Sequence, residues 1–586
     1  MSNEPVIIMG AGPAGLTAAH ECIKGGIQPI VLERADKVGG IARTETYKGY
    51  YFDIGGHRFF TKIPEINQVW HAMLGEDFLR VRRMSRICYQ GRFFDYPVGF
   101  ANALANLGLI ESSLILLSYI KAQVWAHPEE KNFEQWVSNR FGRRLYQTFF
   151  QTYTEKVWGT PCHKIRADWA AQRIRGLSLM VAVSNALFGV QKAKSLISEF
   201  YYPLRGPGMM WQRFQEAVEA NGGQVRLNAE AVRLTHEDGR IVSVDCCERD
   251  KTETIPVGQL ISSIPVTRVV DLLDPKAPDD VLEAASKLSY RAFVLVGLIV
   301  DREDLFPDQW IYVHSPDVRV GRIQNFKNWS AAMVPHPQKT SVGMEYFCNQ
   351  GDETWTMSDA ELKDLATREL SKLGLVETDD VVDGFVIRQA HAYPVYDDAY
   401  KDHLMVIRDY VGTIENLQTV GRNGLHRYNN MDHSMLTGML AAQNLLGAHH
   451  DLWEVGEKDG YLEADKKTEA LVAEAVLTQT FARIDKLAFA TAAGSVSGLL
   501  MFLATIWLVI KGGEVVGPTL RVLAAYFVGY TVTVKGAFIA FGYSFFCGFL
   551  FGWLFAYLRN LFLALYVYRV KKRAELLSLK DFFDNL

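Results

Sequence analysis

The chain of 586 residues is poor in cysteine and carries no strong charge of either sign. Its seven cysteines (Cys22, Cys88, Cys162, Cys246, Cys247, Cys348 and Cys547) are odd in number and scattered, and no C-x-x-C pair is present. That excludes a disulfide framework and the usual zinc spacings, and predicts reduced thiols. Cys162 and His163 are adjacent rather than spaced as ligands, so no metal is expected. The formal net charge of −4 leaves no broad basic surface and excludes nucleic acid as an expected partner. No internal repeat is visible. No secretory leader is expected, because a buried strand already begins near residue 5.

The first sixty residues hold the densest pattern. Val6-Ile7-Ile8-Met9 reads as a buried strand, and Gly10-Ala11-Gly12-Pro13-Ala14-Gly15 follows at once. An Ala/Leu-rich helix comes next, over about 16–24, then a strand at about 27–32 that ends in Glu33. Strand, glycine turn, helix, strand and acid form the context that gives a G-x-G-x-x-G its meaning. Gly10 allows the tight turn, Gly12 lets the backbone approach a pyrophosphate, and Gly15 lets helix and strand pack closely. The helix N-terminus offers N–H groups to phosphate. Glu33 is placed to accept the hydroxyls of an adenosine ribose. The pattern predicts an α/β dinucleotide-binding domain.

A second glycine pair, Gly39-Gly40, with Arg43 just beyond, is no part of an NAD site. Here the sequence resembles the large FAD family that includes amine oxidases, protoporphyrinogen oxidase, phytoene desaturases and UDP-galactopyranose mutase. In that family this stretch wraps the diphosphate, and the next one lies beside the isoalloxazine. That next stretch is Phe52-Asp53-Ile54-Gly55-Gly56-His57-Arg58-Phe59-Phe60-Thr61. The resemblance implies a Rossmann-like FAD-binding domain of the GR2 type, assembled from the discontinuous segments 1–62, 200–272 and 413–450. An interleaved α+β substrate domain (63–199 and 273–412) would complete the catalytic part. The second FAD segment carries Val232, whose backbone would bracket the adenine. The third carries Gly421, Arg422 (a pyrophosphate contact in the family), Asn430, Met431 and Asp432. A helix opening there would aim its N-terminus at the flavin pyrimidine, with Asn430 or Asp432 as its cap.

Residues 63 to about 200 read as mostly helical. Within them, 100–124 and 176–190 are apolar. Glu111 and Lys121 interrupt the first and the second is short, so core helices are the preferred reading. The alternative is a monotopic surface that dips into lipid and admits a hydrophobic substrate. Two polar and aromatic clusters, 153–159 and 167–174, read equally as pocket walls or as structural ion pairs. The stretch 388–396 is a candidate pocket strand, and an exposed edge strand is the alternative.

Residues 451–486 form a charged, helix-prone linker. After it the composition changes: 487–510 and 536–558 contain no charged residue, and each is long enough to cross a bilayer. Between them, 518–534 reads as interfacial, re-entrant or a third short span. Gly494/Gly498 and Gly548/Gly552 put small residues on one face of each helix, which suits a helix–helix oligomer. Two spans return the tail, 569–586, to the catalytic side. That side carries Arg483, Lys486, Arg569, Lys571, Lys572 and Arg573, against Lys511, Arg521 and Lys535 in the connection. This bias predicts a multi-pass protein of the cytoplasmic membrane with its catalytic domain in the cytoplasm.

The resemblance covers roughly residues 4–450 and implies two kinds of chemistry. One is hydride transfer from a substrate C–H to flavin N5. The other, that of the mutase, is attack by reduced flavin on a sugar anomeric carbon with no net redox change. Gly55–Thr61 resembles the mutase segment G-P-H-x-F-H-T, but Gly56 stands in place of its proline and Phe60 in place of its second histidine. A membrane tail suits a lipidic or lipid-linked substrate, sugar-containing or not. The preferred reading is therefore a membrane-anchored FAD-dependent oxidoreductase in contact with membrane lipids, with the mutase as runner-up. Rab GDP-dissociation inhibitors and prenyl-protein escort proteins share this fold as non-catalytic binders and supply a third reading. His57, Arg58, Arg388, Tyr393 and Arg427 are the candidate catalytic residues. His57 and Arg58 would orient substrate or tune the flavin, Arg388 and Arg427 would bind a phosphate, and Tyr393 would form an aromatic wall with Tyr396.

Overall fold

A computed structural model describes residues 4–96, 100–127, 129–167, 199–397, 399–455, 485–512 and 518–584. They fall into two compact units, 1–468 and 469–586.

The first unit is built on a parallel sheet of five strands. Val6–Met9 lies in the middle, between Ile30–Glu33 and Gln259–Ser262, and Gln224–Leu227 and Leu417–Thr419 form the edges. All four residues of the central strand are buried, as expected of a parallel strand covered on both faces. Gly10 turns the chain with φ +95°, and helix Pro13–Lys24 starts at once with proline in its first turn. Helix Met431–Leu445 crosses that helix at backbone distance. A Cβ on Gly438 would lie 2.1 Å from the Ala14 carbonyl oxygen, so only glycine fits.

The other large layer is a seven-stranded sheet. Its order is Val381–Pro394, Tyr290–Val300, Thr340–Cys348, Arg322–Asn325, Trp310–Val313, Ser85–Tyr89 and Arg92–Asp95. The last two strands correct the expectation that 63–200 is mostly helical. Phe78–Arg82 is a further strand, paired with Glu199–Pro203. Each is only four or five residues long, too short for its alternation to stand out beside the helical stretches around it.

A second expectation also fails. Helix Phe100–Val124 is not a core helix: Leu109, Ile110, Leu117 and Val124 are 61–81% exposed. The 176–190 stretch, residues 168–174 and the linker from 456 to 484 lie outside the described residues.

The second unit contains helices Lys486–Lys511 and Val534–Asp584. The first, and the second as far as Leu561, are long and apolar enough to cross a membrane, as is Ala105–Val124 in the first unit. Asp485 caps the Lys486–Lys511 helix by accepting from the Leu487 and Ala488 N–H groups. The described residues 518–533 hold only a one-turn helix and a 3-10 turn, so this stretch is not a third span. The Tyr530 hydroxyl lies 3.1 Å from Thr505 Oγ1 and ties the connection to the first helix.

The four glycines expected to serve an oligomer are used within the chain. A Cβ on Gly494 or Gly498 would meet the Phe545 or Phe541 carbonyl at 2.8 or 3.1 Å. A Cβ on Gly548 or Gly552 would meet Ser497 or Ala493 at 2.6 or 2.8 Å. The small-residue faces let the two helices of one hairpin touch, and neither is left over for another copy.

Gly438→Val forces the two helices of the first unit apart. It is expected to cost about 3 kcal/mol or more of stability, read as a lowered melting temperature of the purified full-length protein together with weakened cofactor retention.

Candidate functional site

The glycine motifs converge on the N-terminus of helix Pro13–Lys24. Gly10 N–H donates to the Leu32 carbonyl and Gly39 N–H to the Ala11 carbonyl, both at 2.8 Å. A Cβ on Gly15 would fall 1.9 Å from the Gly10 oxygen, so this glycine joins helix to strand. Gly12 is different. The nearest atom to a Cβ there is Gly40 Cα at 3.8 Å, so the space beside the turn is open and lined by backbone. Arg43 supports the second turn by donating to the Gly40 carbonyl and to Glu45. Glu33 accepts from Ala11 N–H at 2.8 Å and Ala35 N–H at 2.9 Å, which holds its carboxylate at the strand end, at the edge of the open turn. An open glycine cradle at a helix N-terminus beside a fixed carboxylate fits a dinucleotide.

The other segments join this cradle. Val232 is partly exposed at a β-bulge of strand Ala229–Glu237. Gly421 has φ +77° and donates its N–H to Thr437 Oγ1. Met431 is buried. Asn430 holds the N-cap position of helix Met431–Leu445, but its side chain makes no capping bond. Asp432 does not cap the helix in the expected way either. It accepts from Thr61 Oγ1 at 2.9 Å and thereby fastens the loop that follows Gly55-Gly56.

Around that loop lies an aromatic and cationic cluster. Gly55 has φ +90°, and a Cβ on it would stand 3.6 Å from His57 Cε1 and 3.8 Å from Arg322 Nη2. A Cβ on Gly56 would stand 3.7 Å from Gln324 Oε1. His57 Nδ1 lies 3.0 Å from the Gly55 carbonyl, so it carries the proton. Burial first, then Arg422 and Arg322, push the His57 pKa down to about 3, and the ring is neutral at ordinary pH. Arg322 is paired with the fully buried Glu345 at 2.5 Å, and Gln324 donates to the same carboxylate. Despite the burial that opposes it, the Arg322 charge is held by Glu345.

The walls are rings. Tyr393 and Tyr428 stack at 5.6 Å, and Trp158 lies 6.3 Å from each. The Arg422 guanidinium sits 4.8 Å over Tyr428 and 5.6 Å over Tyr393 while donating to the Asn429 and Ala392 carbonyls. Tyr153 stacks on His314 at 4.8 Å. Lys156 donates to the carbonyls of Val313, Ser315 and Val320, which fixes the short helix carrying Tyr153 and Trp158. Burial brings its pKa down to about 8. Arg58 lies 5.2 Å over Trp310 at the margin of the cluster.

Not all the expected residues meet here. His57, Tyr393 and Arg422 do, with Gly55 and Gly56. Arg388 does not: it is bound to Asp359 and to the Trp355 and Met357 carbonyls. Tyr393 and Gln389 pair with Arg291 and Phe293 on one face of the sheet, and the residue next to Gln389 must face the other way. The Arg427 guanidinium donates to the Val455 carbonyl. Arg322 and Glu345 were missed. A signal was present in Glu345, a lone carboxylate in the apolar strand Thr340–Cys348, because a buried charge requires a partner.

A family model described as flavin containing amine oxidoreductase matches residues 13–446. The 15-cis-phytoene desaturase of Capsicum annuum is 24% identical over 397 residues, 63% of this chain and 64% of that protein. The chain thus spans less than two thirds of that relative's length. The coproporphyrinogen III oxidase of Mycobacterium leprae is 23% identical over 70% of this chain and 91% of its own. Among solved structures, reduced UDP-galactopyranose mutase superposes with a TM-score of 0.68 at 21% identity, covering 78% of this chain and 98% of that one. A protoporphyrinogen oxidase structure from Exiguobacterium gives 0.59 at 16% identity, covering 76% and 99%. At these identities the two structures speak to the fold.

Two measurements test the site. Gly12→Val adds atoms only to the open side of the turn, so the protein is expected to fold and to lose its flavin, read as absorbance per mole of purified protein. Normal flavin content would move the cofactor elsewhere. Second, His57 and His314 have folded pKa values of about 3 and His426 of about 4, each lowered by burial from the ordinary 6.5. Their contribution to stability is present above the unfolded value and lost as pH falls toward the folded one. Melting temperature should therefore drop between pH 6.5 and 4, less steeply in His314→Phe, which keeps a ring on Tyr153.

Proposed function

Because the chain belongs to the family of flavin containing amine oxidoreductases, we propose that it is a membrane-anchored FAD-dependent oxidoreductase that removes a hydride from a lipidic or lipid-linked substrate. The observation that carries this reading is a ring-walled cluster beside Gly55-Gly56 in a chain that also holds two C-terminal helices of spanning length. FAD, when bound, supplies the two-electron acceptor. The chain's own residues do the rest. Gly12, Gly39 and Gly40 would bring backbone to the diphosphate, Gly10 and Gly15 set the turn that presents them, and Glu33 would take the ribose. Tyr153, Trp158, Tyr393 and Tyr428 orient an apolar substrate and keep water from the reacting carbon. Neutral His57 and the fixed Arg322 charge set the polarity beside it. The Lys and Arg bias of the loops supports a cytoplasmic catalytic unit.

A redox-neutral rearrangement of a sugar is the second reading. It is favoured by Arg422, a guanidinium near His57 bonded to carbonyls rather than to a carboxylate, which offers a cation to a phosphate. The non-catalytic binding role is set aside by the membership in an oxidoreductase family.

Anaerobic titration with fractionated lipid extracts separates the two. Under the first reading a fraction bleaches the flavin band at about 450 nm. Failure of every fraction, with turnover of UDP-galactose by pre-reduced protein that consumes no reductant, would replace it with the second.

A further inference from the structure

Helix Phe100–Val124 breaks at Gly108, where φ is +82°, and from Leu109 onward it has two contrasting sides. The inner side is fastened to the catalytic unit. Ile115 and Tyr119 are buried. A Cβ on Gly142 would lie 2.7 Å from the Tyr119 nitrogen, so the backbones touch. Arg144 N–H donates to Ser118 Oγ at 3.1 Å.

The outer side is a broad arc formed by Leu109, Ile110, Leu114, Leu116, Leu117, Ile120 and Val124, each 39–81% exposed. Glu111, which breaks the apolar run in the sequence, is not on this arc. It turns inward to a two-point ion pair with Arg144 at 2.6 and 2.7 Å. The charge left on the outer side is Lys121, at the C-terminal end, one turn before Trp125, which is 74% exposed. A lysine and a tryptophan at the end of an apolar face are the side chains that reach from hydrocarbon into the headgroup layer. A cavity of about 480 Å³, lined by Arg92, Glu111, Arg144 and Leu107 among others, opens behind the arc.

We propose that residues 109–125 lie in the interface of a lipid bilayer, immersed along their outer face, and give the catalytic unit a membrane contact of its own, separate from the C-terminal hairpin. The occupant is lipid rather than a second protein because the face ends in an exposed lysine and tryptophan and its one acid is neutralised on the inner side. The helix lies along the membrane rather than across it, because one side is bonded to the catalytic unit along its length. The inference rests on the membrane part of the reading above and extends it to the unit that holds the flavin cradle.

The test uses full-length protein in proteoliposomes containing anionic phospholipid, with p-benzoylphenylalanine placed singly at Ile110, Leu117, Phe551 or Met405. Phe551 is 76% exposed in the long C-terminal helix and reports the spanning hairpin; Met405, 57% exposed in helix Tyr400–Val411, is the aqueous control. After irradiation, lipid adducts are quantified by mass spectrometry. Adducts at positions 110 and 117 should exceed those at 405 several-fold and approach the yield at 551. Adducts at 551 with none at 110 and 117 would overturn the proposal while leaving the membrane anchor intact, whereas none at 551 would remove the anchor itself. A crosslinked dimer at 110 or 117 in place of lipid would overturn it in favour of self-association.

Discussion

Everything in the catalytic unit depends on backbone meeting backbone at the start of one short helix. Gly15 lies against the Gly10 carbonyl, Gly438 against the Ala14 carbonyl, and Gly12 faces Gly40 across an open gap. The first two contacts exclude a side chain, and all three bring different parts of the sequence to the same few peptide groups. The two helices cover one face of the central strand, that of Ile8, and the opposite face, that of Ile7 and Met9, packs against strands 229–257 and helices Val266–Leu272 and Asp279–Lys287. At Gly12 the closeness is left unfilled, and an open backbone turn of this kind is what a diphosphate requires.

The substrate side rests on a different constraint, the holding of charge away from water. Arg322 and Glu345 are a buried pair, and such a pair is costly unless its geometry is tight and its spare donors are used. Gln324 satisfies part of that demand. Arg422 meets it through carbonyls and two aromatic faces. Burial first, and two guanidinium groups nearby, keep His57 from protonating at ordinary pH. The polarity of the ring cluster is thus set by groups held in place by their own bonds.

How much of this was legible in the sequence follows from how local each signal is. The motifs at 10–15, 39–40, 55–57 and 421–422 are short glycine patterns next to strands, and local pattern suffices to find them. The two C-terminal helices long and apolar enough to cross a membrane are equally plain, because each contains a long run free of charge. The Arg322–Glu345 pair is not plain: the two residues meet only through the registry of two antiparallel strands. Arg388 misled although strand alternation alone separates it from Tyr393: five residues apart on Val381–Pro394, the two take opposite faces. The 100–124 helix was misread because Glu111 looked like an interruption, whereas it marks the side that turns inward. The glycine stripes of the tail were read correctly as contact surfaces, but the partner is the same chain.

The strand order also dictates a sequence of events during synthesis. The first strand, Val6–Met9, is made at once but pairs with Gln259–Ser262, which in turn pairs with Leu417–Thr419. The nucleotide sheet therefore stays unfinished until most of the chain has left the ribosome, with apolar edges open in the meantime. Its last strand and the helix Met431–Leu445 that closes over it precede the first of the two long apolar helices, Lys486–Lys511. A nascent chain that stalls before residue 417 leaves an incomplete sheet for chaperones to shield, and one that passes it closes the sheet before the two long apolar helices emerge.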